Sequence, residues 1–300
     1  SLDTKTITNL LTEKKIVQQK LQKLQEERNT RSKEVGILKS KNKPCDQPLK
    51  DLAEISIKQK ETQKTFQTLE SNLQNVLLSI PNIPNQEVPE GKSEEDNQVV
   101  KTWGKLPNLA FPPLDHLELG ERLEQMSFEQ GAKIARSRFV VLQHSLAKLQ
   151  RALIQFMIDH HSNNNGYKEV YVPYLVNEDS LYSTGQLPKL REELFFIGDN
   201  WNLALTPTAE VPVTNLVRDT ILLEKELPLK FVCHSPCFRS EAGSYGKDTR
   251  GMIRVHQFEK VELVHIVHPM QSRQALEELC SHAESILELL DLPYQRVALC

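Results

Sequence analysis

Two apolar seams of nearly equal length dominate the first eighty residues. Positions spaced alternately by four and three residues are apolar at six of nine places between residues 10 and 38, and at seven of nine between residues 52 and 80. Heptad spacing of this kind is typical of helices that pack on each other along one stripe. The two seams are Leu10, Lys14, Val17, Leu21, Leu24, Arg28, Arg31, Val35 and Leu38, and then Leu52, Ile55, Gln59, Thr62, Phe66, Leu69, Leu73, Val76 and Ile80.

The segment between the seams, residues 40–48, contains two prolines and predicts a turn. Phe66 is the only aromatic residue among the first eighty, so this part of the chain cannot build a globular core of its own. The sequence therefore predicts an antiparallel coiled-coil hairpin over residues 1–80. Each helix would be about 45–50 Å long at 1.5 Å per residue, and the hairpin would project as an arm.

Charge is distributed unevenly along the chain. Residues 1–80 contain 15 basic and 10 acidic side chains, a net charge of +5, which leaves −8 for the other 220 residues because the whole chain has −3. A basic segment of this kind is typical of contact with a polyanion. A solvated helical surface has the same composition, and charge alone does not separate the two. The lysines near the turn, at positions 39, 41, 43 and 50, favour nucleic acid over a partner helix or dimerisation.

A linker is predicted over residues 81–98, because prolines end the second helix and an acidic stretch follows. Residues 99–300 then alternate between helical and strand patterns, with consecutive strand pairs that predict an α+β domain with an antiparallel sheet. The helices are predicted over 144–161 and 271–290, and the strands over 169–173, 195–205 as a hairpin, 230–238 and 253–267. Neither GxGxxG nor GxxxxGK[ST] follows a strand, which excludes Rossmann and P-loop nucleotide sites.

The cellular setting follows from what the sequence lacks. No run of about 18 apolar residues predicts a membrane span, and residues 1–10 do not form a secretory signal. Five scattered cysteines are typical of reduced thiols in a cytoplasmic protein.

Ionisable side chains are concentrated in residues 238–262, the run FRSEAGSYGKDTRGMIRVHQFEKVE. Arg254, Phe258 and Glu262 are spaced by four, so in a strand they would share one face. A cross-strand ladder of ion pairs around a core phenylalanine is one interpretation. A nucleotide site is the other, since guanidinium groups grip phosphates and an aromatic ring stacks a base.

A second feature, LTPTAE at residues 205–210, runs from a strand into a helix start. Thr208 and Glu210 at that entrance have the residue types of an ordinary helix cap. On their own they favour the cap over a binding site.

Together these segments resemble a known family. FRSE…R…QFEKVE is similar to motif 2 of class II aminoacyl-tRNA synthetases, and TPTAE resembles the TxE element of their serine-specific branch. The order of the remaining segments also resembles seryl-tRNA synthetases of the bacterial or organellar type: the hairpin arm, SIPNIPNQEVPEGKSEEDN, WG, SRF, GYKEVYVPYLVN and STGQLPKL.

The resemblance implies a role for individual residues. Arg239 and Arg254 would hold the phosphates of ATP as the catalytic cations, Phe258 would stack the adenine, and Glu241 would read its edge. Ser240 and Val255 complete the implied ATP site. The implied serine site is Thr208, Ala209, Glu210 and Glu262, the implied tRNA contacts are Lys39, Lys41, Lys43, Lys247 and Arg250, and Pro173 would lie at a homodimer interface.

The implied activity is that of a serine–tRNA ligase, which activates L-serine with ATP and Mg²⁺ and transfers it to tRNA(Ser). The resemblance further implies that the chain lacks the family's N-terminal start and that it ends at Cys300, before motif 3. Some of the ATP, Mg²⁺ and serine contacts would lie in motif 3, so no metal ligand is expected within these residues and the chain alone could be inactive.

Two other functions remain open. A class II synthetase for another amino acid, such as proline, would share the threonine and glutamate element. A non-catalytic RNA- or protein-binding fragment built on the arm would form no adenylate. The histidine pairs 160/161 and 265/268 lack further metal ligands, and Cys233 and Cys237 are expected to be buried on one strand face.

Overall fold

The computed structural model of the chain describes residues 3–198, 201–242 and 250–300. Backbone contacts divide the chain into two compact units, one that ends at Asn85 and one that runs from Gln86 to Cys300. Among the described residues, none of the helices combines the length and the apolar character that crossing a bilayer requires.

The first unit consists of two long helices, α1 (Thr4–Ser40) and α2 (Asp46–Leu78). The Asp3 carboxylate caps α1 by accepting a hydrogen bond from the backbone N–H of Thr6 at 3.1 Å. Only five residues join the helices, and the two helices run antiparallel in contact with each other. The predicted helical hairpin is therefore confirmed.

The seam of the hairpin is the predicted one. Every predicted seam position is at least partly buried except Arg31. Val35 and Leu73 are the most buried apolar residues of the pair, each 6% exposed. Arg31 turns outward and forms an ion pair with Glu34 at 2.9 Å, because its guanidinium can reach water from the edge of the seam.

The polar seam positions find partners within the hairpin. The Lys14 ammonium lies 5.4 Å from the centre of the Phe66 ring and 2.8 Å from a carboxylate oxygen of Glu70. The Thr62 hydroxyl donates a hydrogen bond to the Lys58 carbonyl at 2.7 Å. Because these polar groups are paired, the two helices can pack along a stripe that is not entirely apolar.

The second unit combines strands and helices. In chain order the strands are β1 (Gln98–Trp103), β2 (Met126–Ser127), β3 (Val141–Leu142), β4 (Lys168–Glu169), β5 (Leu175–Asn177), β6 (Leu203–Leu205), β7 (Leu229–Phe238), β8 (Gln257–Ile266) and β9 (Tyr294–Ala298). The helices are α3 (His116–Arg122), α4 (Phe128–Ile134), α5 (His144–Asn164), α6 (Glu178–Ser183), α7 (Glu210–Thr214) and α8 (Ser272–Leu289).

The largest sheet has the strand order β4-β7-β8. The long strands β7 and β8 are antiparallel with Cys233 opposite Glu262 and Cys237 opposite Phe258, whereas the short β4 is parallel to β7. The prediction of an α+β domain is confirmed, with one parallel pairing that the sequence analysis did not anticipate. β8 begins at Gln257, so the expectation that Arg254 lies in the same strand as Phe258 and Glu262 is wrong.

The two faces of the β7–β8 pair have different neighbours. Residues directly opposite each other point to the same face, so Phe258, Lys260 and Glu262 share a face with Cys233, Ser235 and Cys237. The other face packs against α5 and α8. Cys233 belongs to a buried cluster with Val172, Ala209, Val213 and Val264, which anchors α7 on the first face.

Helix α7 is short but firmly held. Its Val213 belongs to the cluster with Cys233, and its Val211 belongs to a second cluster with Leu181, Leu187 and Ala204. Both valines are fully buried. A five-residue helix is not stable by itself, so these two clusters fix the position of Glu210 at its start.

The predicted hairpin around residue 200 is also present in the described residues. Backbone N–H groups of Ile197 and Leu205 donate to the carbonyls of Leu203 and Phe195, each at 2.9 Å. β6 then pairs with β5. Segment 206–210, which directly follows β6, therefore lies beside the end of β7. There the Phe238 N–H donates to the Thr206 carbonyl at 3.0 Å.

Candidate active site

A cavity of about 400 Å³ opens on the face of the large sheet that holds α7. Its walls include four of the predicted site residues, Thr208, Glu210, Arg239 and Glu241. The other lining residues are Gln186, Leu190, Glu193, Leu194, Pro207 and Lys260. The fold thus brings the TPTAE segment, the end of β7 and the middle of β8 to one place.

Thr208 is the centre of a hydrogen-bonded group in this cavity, and it is only 3% exposed. Its hydroxyl lies 2.7 Å from a Glu262 carboxylate oxygen and 2.7 Å from the Lys260 ammonium. The Glu210 N–H donates to the same hydroxyl at 3.3 Å. The N-cap of α7 is Ala209 and no side chain caps the helix, so the cap interpretation of Thr208 is wrong. The Lys260 ammonium is in turn 2.5 Å from the carboxylate of Glu262.

Arg239 is fixed at the end of β7 by contacts on both sides. Its guanidinium donates to the Pro207 carbonyl at 3.3 Å and lies 5.2 Å from the centre of the Phe258 ring. The Arg239 backbone N–H donates to the His256 carbonyl at 3.0 Å, and the His256 ring Nδ1 lies 3.0 Å from the Arg239 carbonyl oxygen. The side chain is therefore oriented into the cavity before any ligand binds, as positioning by charge requires.

Glu241 stands opposite Arg254 on the cavity wall. The Arg254 guanidinium lies 3.3 Å from the Glu241 carboxylate, and Arg138 donates to the Glu241 carbonyl at 3.5 Å. The Glu241 backbone has a φ of 51°, in the left-handed region that non-glycine residues seldom adopt. Such conformations persist where surrounding contacts hold them, and they are enriched at functional sites.

Phe258 lies next to this cavity but also lines a second, apolar groove. Its ring faces the Arg239 guanidinium, and the residue also lines a groove of about 550 Å³ together with Leu146 and Leu153 of α5. The backbone and hydroxyl of Ser240 donate to the carbonyls of Glu193 and Glu192. Of the other predicted residues, Ala209 is fully buried behind the cavity wall and Val255 is 5% exposed.

The residues predicted to contact tRNA fall into separate places. Lys39, Lys41 and Lys43 are exposed at the turn end of the first unit. Arg250 pairs with Asp115 at 3.1 Å and lies 3.8 Å from Glu118, in contacts that are largely exposed. Exposed pairs of this kind contribute little to stability, so the guanidinium can exchange them for phosphate. Lys247 lies outside the described residues.

Pro173, predicted at a dimer interface, lies on the surface between β4 and β5. Val172 beside it is 1% exposed and belongs to the cluster with Cys233. The segment is thus anchored by Val172 while Pro173 is exposed.

Lys260 and Gln186 line the cavity although neither was a predicted site residue. Lys260 could have been found, because it lies between Phe258 and Glu262 and the period of two puts all three on one strand face. Gln186 lies in the loop after α6, and nothing in its local sequence marks it as a cavity residue.

The two cysteines of β7 are buried as expected, each with no exposed surface. Burial raises the pKa of the Cys233 thiol to about 11, and it also raises the pKa of Cys237. Both thiols are therefore protonated at neutral pH and unreactive.

Three of the four paired histidines, His160, His161 and His265, contribute to a packed cluster on the opposite face of the sheet, whereas His268 is exposed. The Tyr167 hydroxyl bonds to ring nitrogens of His282 at 2.9 Å and His265 at 2.6 Å. His161, 3% exposed, packs edge-on against Tyr167. Among the described residues no group of three or more histidine, cysteine or acidic side chains could hold a metal ion.

The histidine cluster predicts a loss of stability in acid. Burial, with a smaller contribution from the neighbouring charges of His160 and His282, lowers the pKa of His161 from 6.5 to about 4. The unfolded chain therefore takes up a proton at this site first, and stability falls as the pH drops from about 6.5 towards 4. We expect about 2 kcal/mol of this loss between pH 6.5 and pH 5, at 1.36 kcal/mol per unit.

Chemical denaturation at the two pH values checks this prediction. His161→Gln should reduce the pH-dependent loss, whereas His268→Gln, at an exposed histidine outside the cluster, should leave it unchanged. An equal loss in the wild type and the His161 variant would show that another group is responsible.

Comparisons with known proteins agree with this geometry and define its class. Residues 195–300, which include the cavity segment and both long strands, match the family model described as tRNA synthetase class II core domain (G, H, P, S and T). Residues 1–84, the helical hairpin, match the model described as Seryl-tRNA synthetase N-terminal domain. The fold is that of a class II aminoacyl-tRNA synthetase.

Whole-chain relatives narrow the class further. The chain is 49% identical over 300 residues to the serine–tRNA ligase of Teredinibacter turnerae, covering all of this chain and 70% of that protein. It is 52% identical to the serine–tRNA ligase of Legionella pneumophila strain Paris, covering 99% and 70%. The solved seryl-tRNA synthetase of Pyrococcus horikoshii complexed with ATP superposes with a TM-score of 0.80 at 32% identity, over 98% of this chain and 70% of that one. The chain belongs to the seryl-tRNA synthetase family.

Proposed function

We propose that the cavity between α7 and the β7–β8 pair binds serine and ATP side by side and forms seryl-adenylate. The observation that supports this most strongly is the convergence of Thr208 and Glu210 with Arg239 and Glu241 on one cavity from two segments that are about thirty residues apart in the chain. The chain belongs to a family of serine–tRNA ligases, and the solved relative with ATP supports the same ligand here.

The serine end of the cavity is proposed at the group centred on Thr208. Glu210 and Glu262 supply two carboxylates for one ammonium, and the backbone around Ala209 holds Thr208 between them. A site that bonds the serine hydroxyl rejects alanine, because alanine leaves buried polar groups without partners. Amino acid selectivity is therefore expected to come from this end.

The ATP end is proposed at Arg239, Arg254 and Phe258. The Arg239 guanidinium is held between the Pro207 carbonyl and the Phe258 ring. In this position its N–H donors can face the α-phosphate. Arg254 pairs with Glu241 on the wall and would exchange that pair for the phosphate tail. Ser240 and Val255 then shape the backbone around the base, which Phe258 would stack and Glu241 would recognise at its edge.

The reaction proposed has two steps. A serine carboxylate oxygen attacks the α-phosphorus, the bond to the β-phosphate breaks, and pyrophosphate leaves with its electron pair. A hydroxyl of the terminal adenosine of tRNA then attacks the carbonyl of seryl-adenylate, and AMP leaves. No protein nucleophile takes part, so rate enhancement is expected from positioning and from the charges of Arg239 and Arg254.

Magnesium is proposed to enter with ATP as part of the substrate. Mg²⁺ keeps most of its water and is typically bound by substrate phosphates and one or two carboxylates. The wall carboxylates Glu210 and Glu241 are proposed above for serine and adenine, so no described residue is proposed as its ligand. When bound, Mg²⁺ would neutralise part of the phosphate charge. Arg239 and Arg254 would position the phosphates for attack by the serine carboxylate.

The two units are proposed to divide the work. Residues 1–80 would bind tRNA(Ser) as the arm, residues 81–98 would act as the linker, and residues 99–300 would form the catalytic domain. Phosphate contacts from Lys39, Lys41 and Lys43, and from Lys247 and Arg250, would be sensitive to salt. We further propose a homodimer with Pro173 at its interface, and a cytoplasmic location where tRNA is charged.

Serine-dependent exchange of pyrophosphate into ATP tests the proposed function. The assay uses the full-length protein with serine, alanine, threonine and proline as separate substrates. Exchange with serine alone is expected. Equal or greater exchange with another amino acid would show that the protein is a class II synthetase specific for that amino acid. No exchange with any of the four would contradict adenylate formation in this cavity.

The lysines at the turn of the arm predict a salt-dependent loss of tRNA binding. Replacing Lys39, Lys41 and Lys43 by alanine removes three exposed cations. If each contacts a phosphate, the tRNA KM for aminoacylation should rise about 10-fold at low salt, with a weaker dependence on salt concentration. Exchange of pyrophosphate should not change, because that step needs no tRNA.

A matched control uses Lys5, Lys15 and Lys20, which are exposed on the other half of α1. Their replacement changes the net charge equally. A tRNA KM that rises as much in the control as in the turn variant would assign the effect to overall charge and contradict a contact at the turn.

A further inference from the structure

Lys260 holds a position in the cavity that the proposed reaction does not use. Its ammonium is 2.5 Å from the carboxylate of Glu262 and 2.7 Å from the hydroxyl of Thr208. These are the two groups that, in the proposed function, receive the ammonium and the hydroxyl of serine. The side chain comes from the strand face that points into the cavity, and it lines the cavity wall beside Glu210.

The distances around Lys260 are those of an ammonium bound through two of its three N–H donors. An ammonium has three N–H donors, and two of them point at Glu262 and Thr208. The Thr208 hydroxyl is itself 2.7 Å from Glu262, so the three groups form a closed triangle. Charge-assisted hydrogen bonds of this length are the strong ones in proteins.

We propose that the Lys260 ammonium is a built-in occupant of the substrate-ammonium subsite, which keeps simple amines out and which serine displaces. This inference rests on the proposed function. Until serine binds, Lys260 balances the Glu262 charge and holds Thr208 in its binding orientation. Serine can displace the ammonium because it gains further contacts through its carboxylate and hydroxyl.

The proposal explains how the cavity can face water without binding every small cation. The Glu262 side chain is 21% exposed and the Lys260 side chain 31% exposed, so solvent cations reach this wall. An amine that has no other binding group can form only an ammonium–carboxylate hydrogen bond with Glu262. Lys260 already forms that hydrogen bond, so the amine gains no binding energy by replacing it. Because Lys260 is tethered, it competes without loss of translational freedom.

Ethanolamine, which is serine without its carboxylate, tests the proposal as an inhibitor of serine-dependent exchange. In Lys260→Met the competing ammonium is absent, and the inhibition constant of ethanolamine against serine should fall about 10- to 100-fold, the value of one charge-assisted hydrogen bond. Lys260→Arg retains a cation and should resemble the wild type. An unchanged inhibition constant in Lys260→Met would overturn the proposal.

A second measurement covers the case in which Lys260→Met has no exchange activity. Ethanolamine should then raise the melting temperature of Lys260→Met but not that of the wild type, and propanol of matched size should raise neither. Failure of this shift overturns the Lys260 proposal. Failure of the wild type to exchange pyrophosphate with serine contradicts the proposed function instead, so the two failures are distinguishable.

Discussion

Replacing Arg239 by alanine is expected to lower the kcat of serine-dependent pyrophosphate exchange by about 10²- to 10³-fold, the usual cost of removing one pre-positioned donor from a developing charge. The physical reason is its fixed orientation, since the guanidinium is held between the Pro207 carbonyl and the Phe258 ring. Arg239→Lys should recover only part of the rate, because an ammonium lacks the planar fork of donors.

A matched control for this prediction is Arg296→Ala on β9. Arg296 is also part-buried and ion-paired, with Glu277 at 2.7 Å, but it does not line the cavity. Its replacement should leave exchange unchanged. If Arg239→Ala is folded by circular dichroism and retains wild-type exchange, the phosphates of ATP do not bind at the end of β7.

Replacing Glu262 by glutamine is expected to lower kcat/KM for serine by about 10-fold, since a charge-assisted hydrogen bond to the ammonium becomes a neutral one. Glutamine preserves the size of the side chain and can still accept from the Thr208 hydroxyl. The change should therefore affect the serine KM and leave the ATP KM close to that of the wild type.

Glu259→Gln provides the control on the same strand. Glu259 lies on the opposite face of β8, where its carboxylate pairs with His234 at 2.7 Å. The same change of charge there should not affect the serine kinetics. A similar loss of kcat/KM for serine in both variants would mean that any change of charge on β8 lowers activity. It would contradict a direct contact between Glu262 and serine.

The helical hairpin could be predicted from sequence in detail. Heptad spacing determines which side of each helix is buried. Because residues 1–80 contain only one aromatic residue, they cannot form a globular core instead of the hairpin. The one exception, Arg31, follows from side-chain length, because a long polar side chain at a seam can turn its charged end into water.

The site could be predicted only in part. The period of two in β8 places Phe258 and Glu262 on one face, but where β8 begins is decided by its pairing with β7, which excludes Arg254. Arg254 does not line the cavity, but an irregular segment brings its guanidinium to Glu241 of the cavity wall. Long-range pairing of this kind leaves no mark in the local sequence.

The residues that line the cavity were also predictable from local sequence only in part. Lys260 was predictable from strand alternation, whereas Gln186 and Glu193 reach the cavity because a loop packs there through Leu187 and Leu194, in the cluster that also contains Val211. Contacts between segments distant in sequence depend on tertiary packing, and single-sequence patterns do not report them.

A crystal structure of the full-length protein with a non-hydrolysable seryl-adenylate analogue tests the central claim most directly. The account predicts that the adenine stacks on Phe258, the α-phosphate mimic contacts Arg239, and the serine ammonium replaces Lys260 at Glu262. An analogue bound outside the cavity that Thr208 and Arg239 share would contradict the account.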